Sequence, residues 1–172
     1  MEARQHNVQS NAQGSQMSAQ AGAATQSTEV VQLLNGVLAD QFVLLVKSLN
    51  YHWNVEGIQF REIHKLLEDV YNEVFSHIDE VAERVRTVGG RPVATLREIL
   101  ETARLKEAAQ SKHTVHEMLQ DLLQDHDSLI QTLRAGAERC EELGDYGSND
   151  QLTSLLRETE KLAWMLRASI QQ

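Results

Sequence analysis

The sequence predicts an all-α protein, a bundle of four long helices. Apolar residues recur at the three-and-four spacing of a helix face in four separate segments. The 172 residues contain a single proline, Pro92, and no segment is rich in the alternating apolar and polar residues typical of strands. A chain of this length suits one domain with a sizeable core.

The first 28 residues differ from the rest of the chain. They are rich in Gln, Ser and Ala, and their ionisable side chains are only Glu2, Arg4 and His6. Such a segment has almost nothing to bury. The sequence therefore predicts a disordered tail over residues 1–28 and a helical bundle domain over residues 29–172.

The first two long helices follow the tail. The first is expected from about Thr28 to near Gly57, and the second from about Ile58 to Val88. Two glycines and then Pro92 stand just beyond the second, which is a common way for a helix to end.

Helix-capping patterns divide the second half of the chain. Thr95 and Glu98 have the spacing of a capping box, which predicts a short helix in the connection. The third long helix is expected to start near Ser111 or Thr114 and to run toward Leu143. We expect the fourth long helix to be capped by Ser148 with Gln151 and to bury Leu152, Leu155, Leu162 and Leu166.

The connections then narrow the fold class. Only the link between helices two and three is long, which is the connectivity of ferritin-like bundles, whereas simple up-down bundles use short loops throughout. The sequence therefore predicts a ferritin-like four-helix bundle with a short extra helix in the long connection between helices two and three.

Composition excludes several function classes. The net charge of −9 repels phosphate backbones, and a single cysteine, Cys140, allows neither an internal disulfide nor a Cys-rich zinc site. No apolar run approaches the roughly 20 residues needed to cross a bilayer, and the start of the chain lacks signal-peptide features. We expect a cytoplasmic protein without a membrane or appreciable DNA interaction at neutral pH.

One stripe of the second helix carries candidate metal ligands. His64, Glu68, Asp79 and Glu83 fall within about 100° of one another, roughly opposite the apolar side. His64 and Asp79 are nevertheless about 22 Å apart along the axis, too far for one metal. An antiparallel two-fold partner would bring the His64 end of one chain to the Asp79 end of the other, giving two shared sites. Such ligands suit ferrous iron, manganese or zinc, although a solvated helix face has the same composition.

Longer motifs resemble one protein family. Residues 52–60 (HWNVEGIQF), 64–68 (HKLLE) and 79–84 (DEVAER) resemble the signature of the Dps miniferritins, and residues 160–167 (EKLAWMLR) resemble the closing helix of that family. The resemblance covers roughly residues 28–168. It implies a hollow dodecamer, built on two-fold dimers, that oxidises ferrous iron with hydrogen peroxide or dioxygen and stores the ferric mineral.

The resemblance also implies the ligands. It assigns His52, His64 and Glu68 of one subunit, with Asp79 and Glu83 of its two-fold mate, to each ferroxidase site. This is the same pairing that helix geometry predicts. Zinc or manganese is also a possible occupant of these sites.

Other residues have two interpretations each. Trp53 follows a predicted ligand and either donates an electron near the iron or only fills space. His77 and His126 fall on apolar helix faces, where buried imidazoles are the expected role. His113 and His116 are expected to be exposed, Cys140 is expected in the core, and whether any of these four histidines binds metal stays open.

The acidic run at residues 141–150 predicts an iron entrance. The resemblance places this region at three-fold pores, where Asp145 and Asp150 would form carboxylate rings that concentrate cations. The alternative is an ordinary solvated loop.

Three functions therefore compete. The first is an iron-oxidising and iron-storing miniferritin, the second a DNA-compacting stress protein with little ferroxidase activity, and the third an inert helical adaptor. Compaction of DNA would need basic arms, whereas the tail offers only Arg4 and the other end only Arg167. The sequence leaves open the oxidant, the metal bound in the cell and the role of the Gln-rich tail.

Overall fold

The chain folds into four long helices and one short helix. In the computed structural model, the described residues are 2–108 and 113–170, with side chains described from residue 26 onward. The helices are α1 (Glu2–Asn54), α2 (Phe60–Thr87), α3 (Leu96–Thr102), α4 (Val115–Glu142) and α5 (Tyr146–Ile170). The described residues contain no strand. This confirms the predicted all-α bundle with a short helix, α3, in its long connection.

The first helix begins earlier than its apolar pattern indicates. α1 starts at Glu2 rather than near Thr28, and it ends at Asn54 rather than near Gly57. The side chains of residues 1–25 lie outside the described residues. The division into a disordered tail at residues 1–28 and a bundle domain at residues 29–172 therefore stays a prediction.

Two of the predicted helix starts are confirmed. Thr95 and Thr114 each accept a hydrogen bond from the backbone N–H three residues on, at 3.2 Å in both cases. Glu98 and Glu117 reach back to the backbone N–H of those threonines, which completes both capping boxes. Hydrogen bonds from Arg91 and from the backbone lower the pKa of Glu98 to about 2.

The predicted start of the last helix is wrong. Ser148 lies inside α5, and the capping side chain is Asp145, whose Oδ1 accepts a hydrogen bond from the Ser148 backbone N–H at 3.0 Å. Asp145 also forms a 2.6 Å ion pair with Arg84 of α2. Because this carboxylate precedes α5 by one residue and is held by another helix, it sets the helix start in place of Ser148 and Gln151.

The core lies between two helical hairpins. α1 packs along α2, α4 packs along α5, and the hairpins meet through α1 with α4 and through a shorter contact of α2 with α5. Each of the four helices contributes fully buried leucines, such as Leu34, Leu67, Leu122 and Leu155. This arrangement leaves the polar stripe of α2 outside the bundle.

One stretch of α1, Gln26–Asn54, is long and apolar enough to cross a bilayer by length and composition. Most of its apolar side chains lie in the bundle core or pack against it. Two of its charged residues, Asp40 and Lys47, are buried and ion-paired with residues of other segments. The apolar character of this helix is thus that of a core helix.

Candidate metal centre

Two of the predicted ligands touch where α1 ends and α2 begins. The rings of His52 and His64 are stacked with centroids 3.7 Å apart and an interplanar angle of 23°. The Nδ1 atom of each ring lies 2.9 Å from the backbone carbonyl oxygen of the other residue. The pair therefore ties the two helices together reciprocally.

These hydrogen bonds fix the tautomer of each neutral imidazole. A carbonyl oxygen only accepts, so a neutral imidazole bonded to it through Nδ1 carries its proton there and leaves the Nε2 lone pair available. A backbone acceptor on the second nitrogen is the usual way in which a metal-binding histidine is oriented. His52 and His64 thus both offer Nε2 as a ligand without further rearrangement.

Side chains around the histidines complete this end of the stripe. Tyr71 meets His52 edge-on at 5.1 Å, and Phe60 lies 4.9 Å from the His64 ring. The carboxylate of Glu68 is partly exposed, and its Oε2 lies 2.9 Å from the Lys65 ammonium. A metal here would use the other oxygen of Glu68 or displace Lys65.

The remaining two predicted ligands belong to the other end of α2. Asp79 and Glu83 are exposed and four residues apart, so they share one face of the helix. At about 1.5 Å per residue, Asp79 lies about 22 Å along the axis from His64. The chain by itself brings His52 and His64 together with Glu68 nearby, and it leaves Asp79 and Glu83 apart from them.

Aromatic side chains are exposed near the same ligands. Trp53 is 71% exposed and Phe75 is 64% exposed, and Phe60 is also exposed. Large apolar side chains left in water next to polar ones are characteristic of surfaces that pack against another protein. Trp53 lies next to His52 in the chain, so a partner that covered it would lie close to the histidine pair.

The interior of the bundle contains a buried lysine whose ammonium group pairs with two carboxylates. Lys47 is 4% exposed, and its ammonium lies 3.0 Å from Asp121 and 2.6 Å from Asp125. Tyr51 donates a 2.6 Å hydrogen bond to Asp121. Burial raises the pKa of Asp125, and Lys47 opposes that rise. The ammonium occupies the position between these carboxylates that a metal would need.

Sequence reasoning missed this interior network. Its only local signal is that Lys47 lies three residues after Leu44 and four before Tyr51, on the buried face of α1. The two aspartates are more than seventy residues away in the chain. A lysine at a core position was therefore the one feature that indicated a buried carboxylate partner.

The two predicted pore residues have different environments. Asp145 is half-buried and bonded to Arg84 and Ser148, whereas Asp150 is exposed. Burial raises the pKa of Asp145, but the hydrogen bonds from Ser148 and the charge of Arg84 outweigh it and keep the pKa below its ordinary value. Asp150 is the freer of the two carboxylates.

The environments of the other histidines and of the cysteine agree in part with those predicted from the sequence. His126 is completely buried and donates through Nδ1 to the Leu122 carbonyl at 2.7 Å. His116 is exposed, and His113 contacts the Tyr51 ring edge-on at 5.6 Å. Cys140 is a buried free thiol, and burial raises its pKa to about 11. The core positions predicted for His126 and Cys140 are confirmed.

Comparisons with known proteins agree on one family. The model of the ferritin-like domain matches residues 31–172. The chain is 46% identical over 143 residues to an uncharacterized low temperature-induced protein of Nostoc sp., covering 83% of this chain and 80% of that protein. It is 40% identical to DNA protection during starvation protein 2 of Bacillus anthracis, covering 84% and 98% of the two chains.

A solved structure gives the same result. The Dps protein of Vibrio cholerae, described as a member of a broad superfamily of ferritin-like diiron-carboxylate proteins, superimposes with a TM-score of 0.81. The two chains are 34% identical, with 85% of this chain and 91% of that chain covered. Both the fold and the sequence similarity thus extend over nearly the whole bundle.

Proposed function

Because the chain belongs to the Dps family of ferritin-like proteins, we propose that it is a cytoplasmic miniferritin that oxidises and stores iron. Its ferroxidase sites lie between two-fold-related subunits of a hollow dodecamer. The single observation that carries this proposal is the His52 and His64 pair, oriented through Nδ1 with both Nε2 atoms free to bind.

The geometry of α2 supports sharing of each site. One chain supplies His52, His64 and Glu68, and the mate supplies Asp79 and Glu83 across an antiparallel contact of the two α2 helices. The exposed aromatic side chains next to the histidines would be covered by the same contact. One symmetric interface then makes two equivalent sites.

Ferrous iron is the substrate of this site. Glu83, with His52 and Asp79, takes the first iron, and His64 with Glu68 takes the second. Each iron gives up one electron and hydrogen peroxide accepts the pair, so two ferrous ions, one peroxide and two waters yield two FeOOH units and four protons. Dioxygen is the other candidate oxidant, and zinc or manganese would compete for the same imidazole and carboxylate ligands.

The residues have separate roles in this reaction. The carboxylates offset the charge of the incoming cations, and the two fixed imidazoles hold the irons without reorganising. Trp53, which follows His52 in the chain, would donate an electron to the adjacent site or intercept a radical from it. Released ferric ions would form mineral on carboxylates of the inner surface.

Mixed assemblies test the shared site. Asp79→Ala and His64→Ala each remove one half of every site, so each variant alone should lose most ferroxidase activity. When the two variants are dissociated and reassembled together, some interfaces should combine an intact half from each chain. We expect partial recovery of ferrous oxidation, measured by ferric absorbance after anaerobic loading and addition of peroxide.

The control for this experiment is a mixture of Asp79→Ala with Glu83→Ala. Both changes affect the same half of the site, so reassembly should restore no activity. Correctly assembled His64→Ala and Asp79→Ala mixtures that remain as inactive as this control would refute the shared site. A wild-type protein without iron-dependent absorbance would instead favour the inert adaptor.

The alternative of DNA compaction finds less support. Relatives are named DNA protection during starvation proteins, but Arg4 is the only Lys or Arg in the first 28 residues. At the other end, Arg167 donates a 2.9 Å hydrogen bond to Asp127, so this charge is already paired. Iron oxidation and storage therefore remains the favoured function.

A further inference from the structure

A second group of potential metal ligands lies on the opposite side of α2 from the stripe. Glu73 and His77 are four residues apart on α2, and Glu158 faces them from α5. On the helix wheel His77 is about 220° from His64. His77 therefore faces the interior of the chain's own bundle, with the two partly exposed carboxylates at the edge of that interior. The group shares no residue with the proposed ferroxidase site.

The imidazole of this group is buried, and one of its two nitrogens lacks a hydrogen bond within the described residues. His77 is 3% exposed, and no group in the described part of the chain forms a hydrogen bond with its Nε2. The atom lies only 2.8 Å from Oε2 of Glu158 and 4.0 Å from Oε1 of Glu73. The 2.8 Å distance between Nε2 of His77 and Oε2 of Glu158 is short enough for a hydrogen bond, but the angles are not those of one. The buried nitrogen is therefore left without a hydrogen bond to Glu158.

The charges of the group are also unbalanced. Among the described residues, neither Glu73 nor Glu158 has an ion pair with a lysine or arginine. A single imidazole offers at most one positive charge to two carboxylates. The completely buried His126 is close enough to His77 to influence it electrostatically, but burial lowers the pKa of His126 to about 4, so it is neutral near pH 7.

We propose that Glu73, His77 and Glu158 bind one first-row divalent cation. The three candidate ligand atoms lie within 4.8 Å of one another. Metal bonds of about 2.0 to 2.2 Å allow ligand atoms at most about 4 Å apart, so small side-chain rotations suffice. One imidazole with two carboxylates suits zinc, manganese or ferrous iron. The cation would satisfy the Nε2 lone pair and offset both carboxylates.

The position of the site indicates what it would do. Glu73 and His77 belong to the α1 and α2 hairpin, whereas Glu158 belongs to the α4 and α5 hairpin. α2 and α5 approach each other closely over only a short stretch, so a cation here would link the two hairpins where their backbones are otherwise in little contact. A cation that binds the folded bundle but not the unfolded chain stabilises the folded state. The carboxylates are 47% and 41% exposed, so the cation has access from solvent.

Zinc titration tests this site on the assembled full-length protein. Asp79→Asn with Glu83→Gln first removes the mate's half of the proposed ferroxidase site, and all further variants carry both changes. In this background we expect about one Zn²⁺ per chain to compete with a chromophoric chelator at pH 7 and to raise the unfolding temperature. Adding Glu158→Gln or His77→Gln should weaken this binding at least tenfold and abolish the thermal shift.

Glu138→Gln is the matched control. Glu138 is an exposed carboxylate on α4, so its removal changes the charge equally but should leave zinc affinity and the thermal shift unaltered. If the Glu158→Gln protein binds as much zinc as tightly as this control, the proposal is wrong. Loss of iron oxidation in the background together with retained zinc binding would separate the two sites, and neither result depends on the other.

Discussion

At the scale of single residues, burial without a charged partner keeps His126 neutral. The ring is fully buried on the inner face of α4, and within the described residues its Nδ1 has a hydrogen bond whereas its Nε2 has none. Burial lowers its pKa to about 4, with a smaller contribution from the charge of His77, while the Leu122 carbonyl and Asp127 act in the opposite direction. The folded protein therefore resists protonation at this position.

His126 makes the bundle sensitive to mild acid. In the unfolded chain the pKa of His126 is about 6.5. Between about pH 6.5 and 4, the imidazole is therefore protonated in the unfolded state and stays neutral in the folded state. Stability is unaffected above this window and declines through it, by up to about 3 kcal/mol per chain. We expect His126→Gln, which removes the titration, to lose less stability than wild type between pH 7.5 and 5.

Chemical unfolding at several pH values, with a chelator present throughout, measures this difference. The comparison is the slope of unfolding free energy against pH, so a constant loss of stability in the variant does not matter. Parallel slopes for the two proteins would contradict the assignment to His126.

At the scale of helices, one carboxylate joins three structural elements. Asp145 follows α4, caps α5 through the Ser148 N–H and forms an ion pair with Arg84 of α2. The first turn of α5 is thereby held against α2. A change at this residue affects the start of a helix and its attachment together.

Asp145→Asn should destabilise the bundle by about 1 to 2 kcal/mol. Asparagine retains some capping ability, but it loses the charge that pairs with Arg84. Asp150→Asn provides the control, because Asp150 is an exposed carboxylate five residues later on the same segment, and we expect a change within about 0.5 kcal/mol. Thermal unfolding compares the two, and equal midpoints would argue against the capping role.

The same two residues predict different effects on iron entry. Asp150 is exposed and has the freer charge, whereas Arg84 already offsets the charge of Asp145. If this region lines a pore, Asp150→Asn should slow iron uptake at low salt, and the effect should fade as ionic strength rises. Stopped-flow uptake at several salt concentrations measures this. Uptake unchanged by Asp150→Asn would favour a solvated loop.

The helix starts show which features of the fold the local sequence can predict. Thr95 is the predicted start of α3 and Thr114 is one of the two predicted starts of α4, and both are confirmed because the two partners of each capping box lie within four residues. The predicted cap at Ser148 is wrong because Asp145 lies in the same acidic run and is held by Arg84, about sixty residues away in the chain. Local patterns predicted these starts wherever no distant residue competed.

In the candidate metal centre, too, local sequence predicts the residues but not the contacts between distant segments. Periodicity on α2 and the motif around His52 predicted the ligand set, but not that His52 and His64 stack and exchange hydrogen bonds. The pairs of Lys47 with Asp125 and of His77 with Glu158 join helices distant in sequence, so no local spacing reveals them. The half-site expected from a partner chain stays a prediction.

At the scale of the whole molecule, net charge governs contact with nucleic acid. Each chain carries −9, so a dodecamer would carry about −108 before counterions or mineral are counted, a field that repels another polyanion. We therefore expect no DNA retardation in a gel-shift assay at pH 7 and about 0.1 M salt, where the Debye length is about 10 Å.

A gain-of-function variant calibrates that assay. Replacing several glutamines of the first 28 residues with lysines adds positive charges at the start of each chain, which should produce DNA retardation that salt reverses. Salt-reversible retardation of the unchanged protein would reveal a basic surface patch that the net charge conceals, or joint action of twelve weak arms.

The five predicted iron ligands all fall within residues 52–83, at the end of α1 and on α2. None of them comes from α4 or α5, which form the other half of the bundle. The proposed ferroxidase ligands therefore place no direct constraint on the second half of the gene, where core packing and the carboxylates Asp145, Asp150 and Glu158 are the features that a mutation could disturb. Redox chemistry in this protein would be inherited as one short contiguous segment, and relatives should diverge fastest outside it.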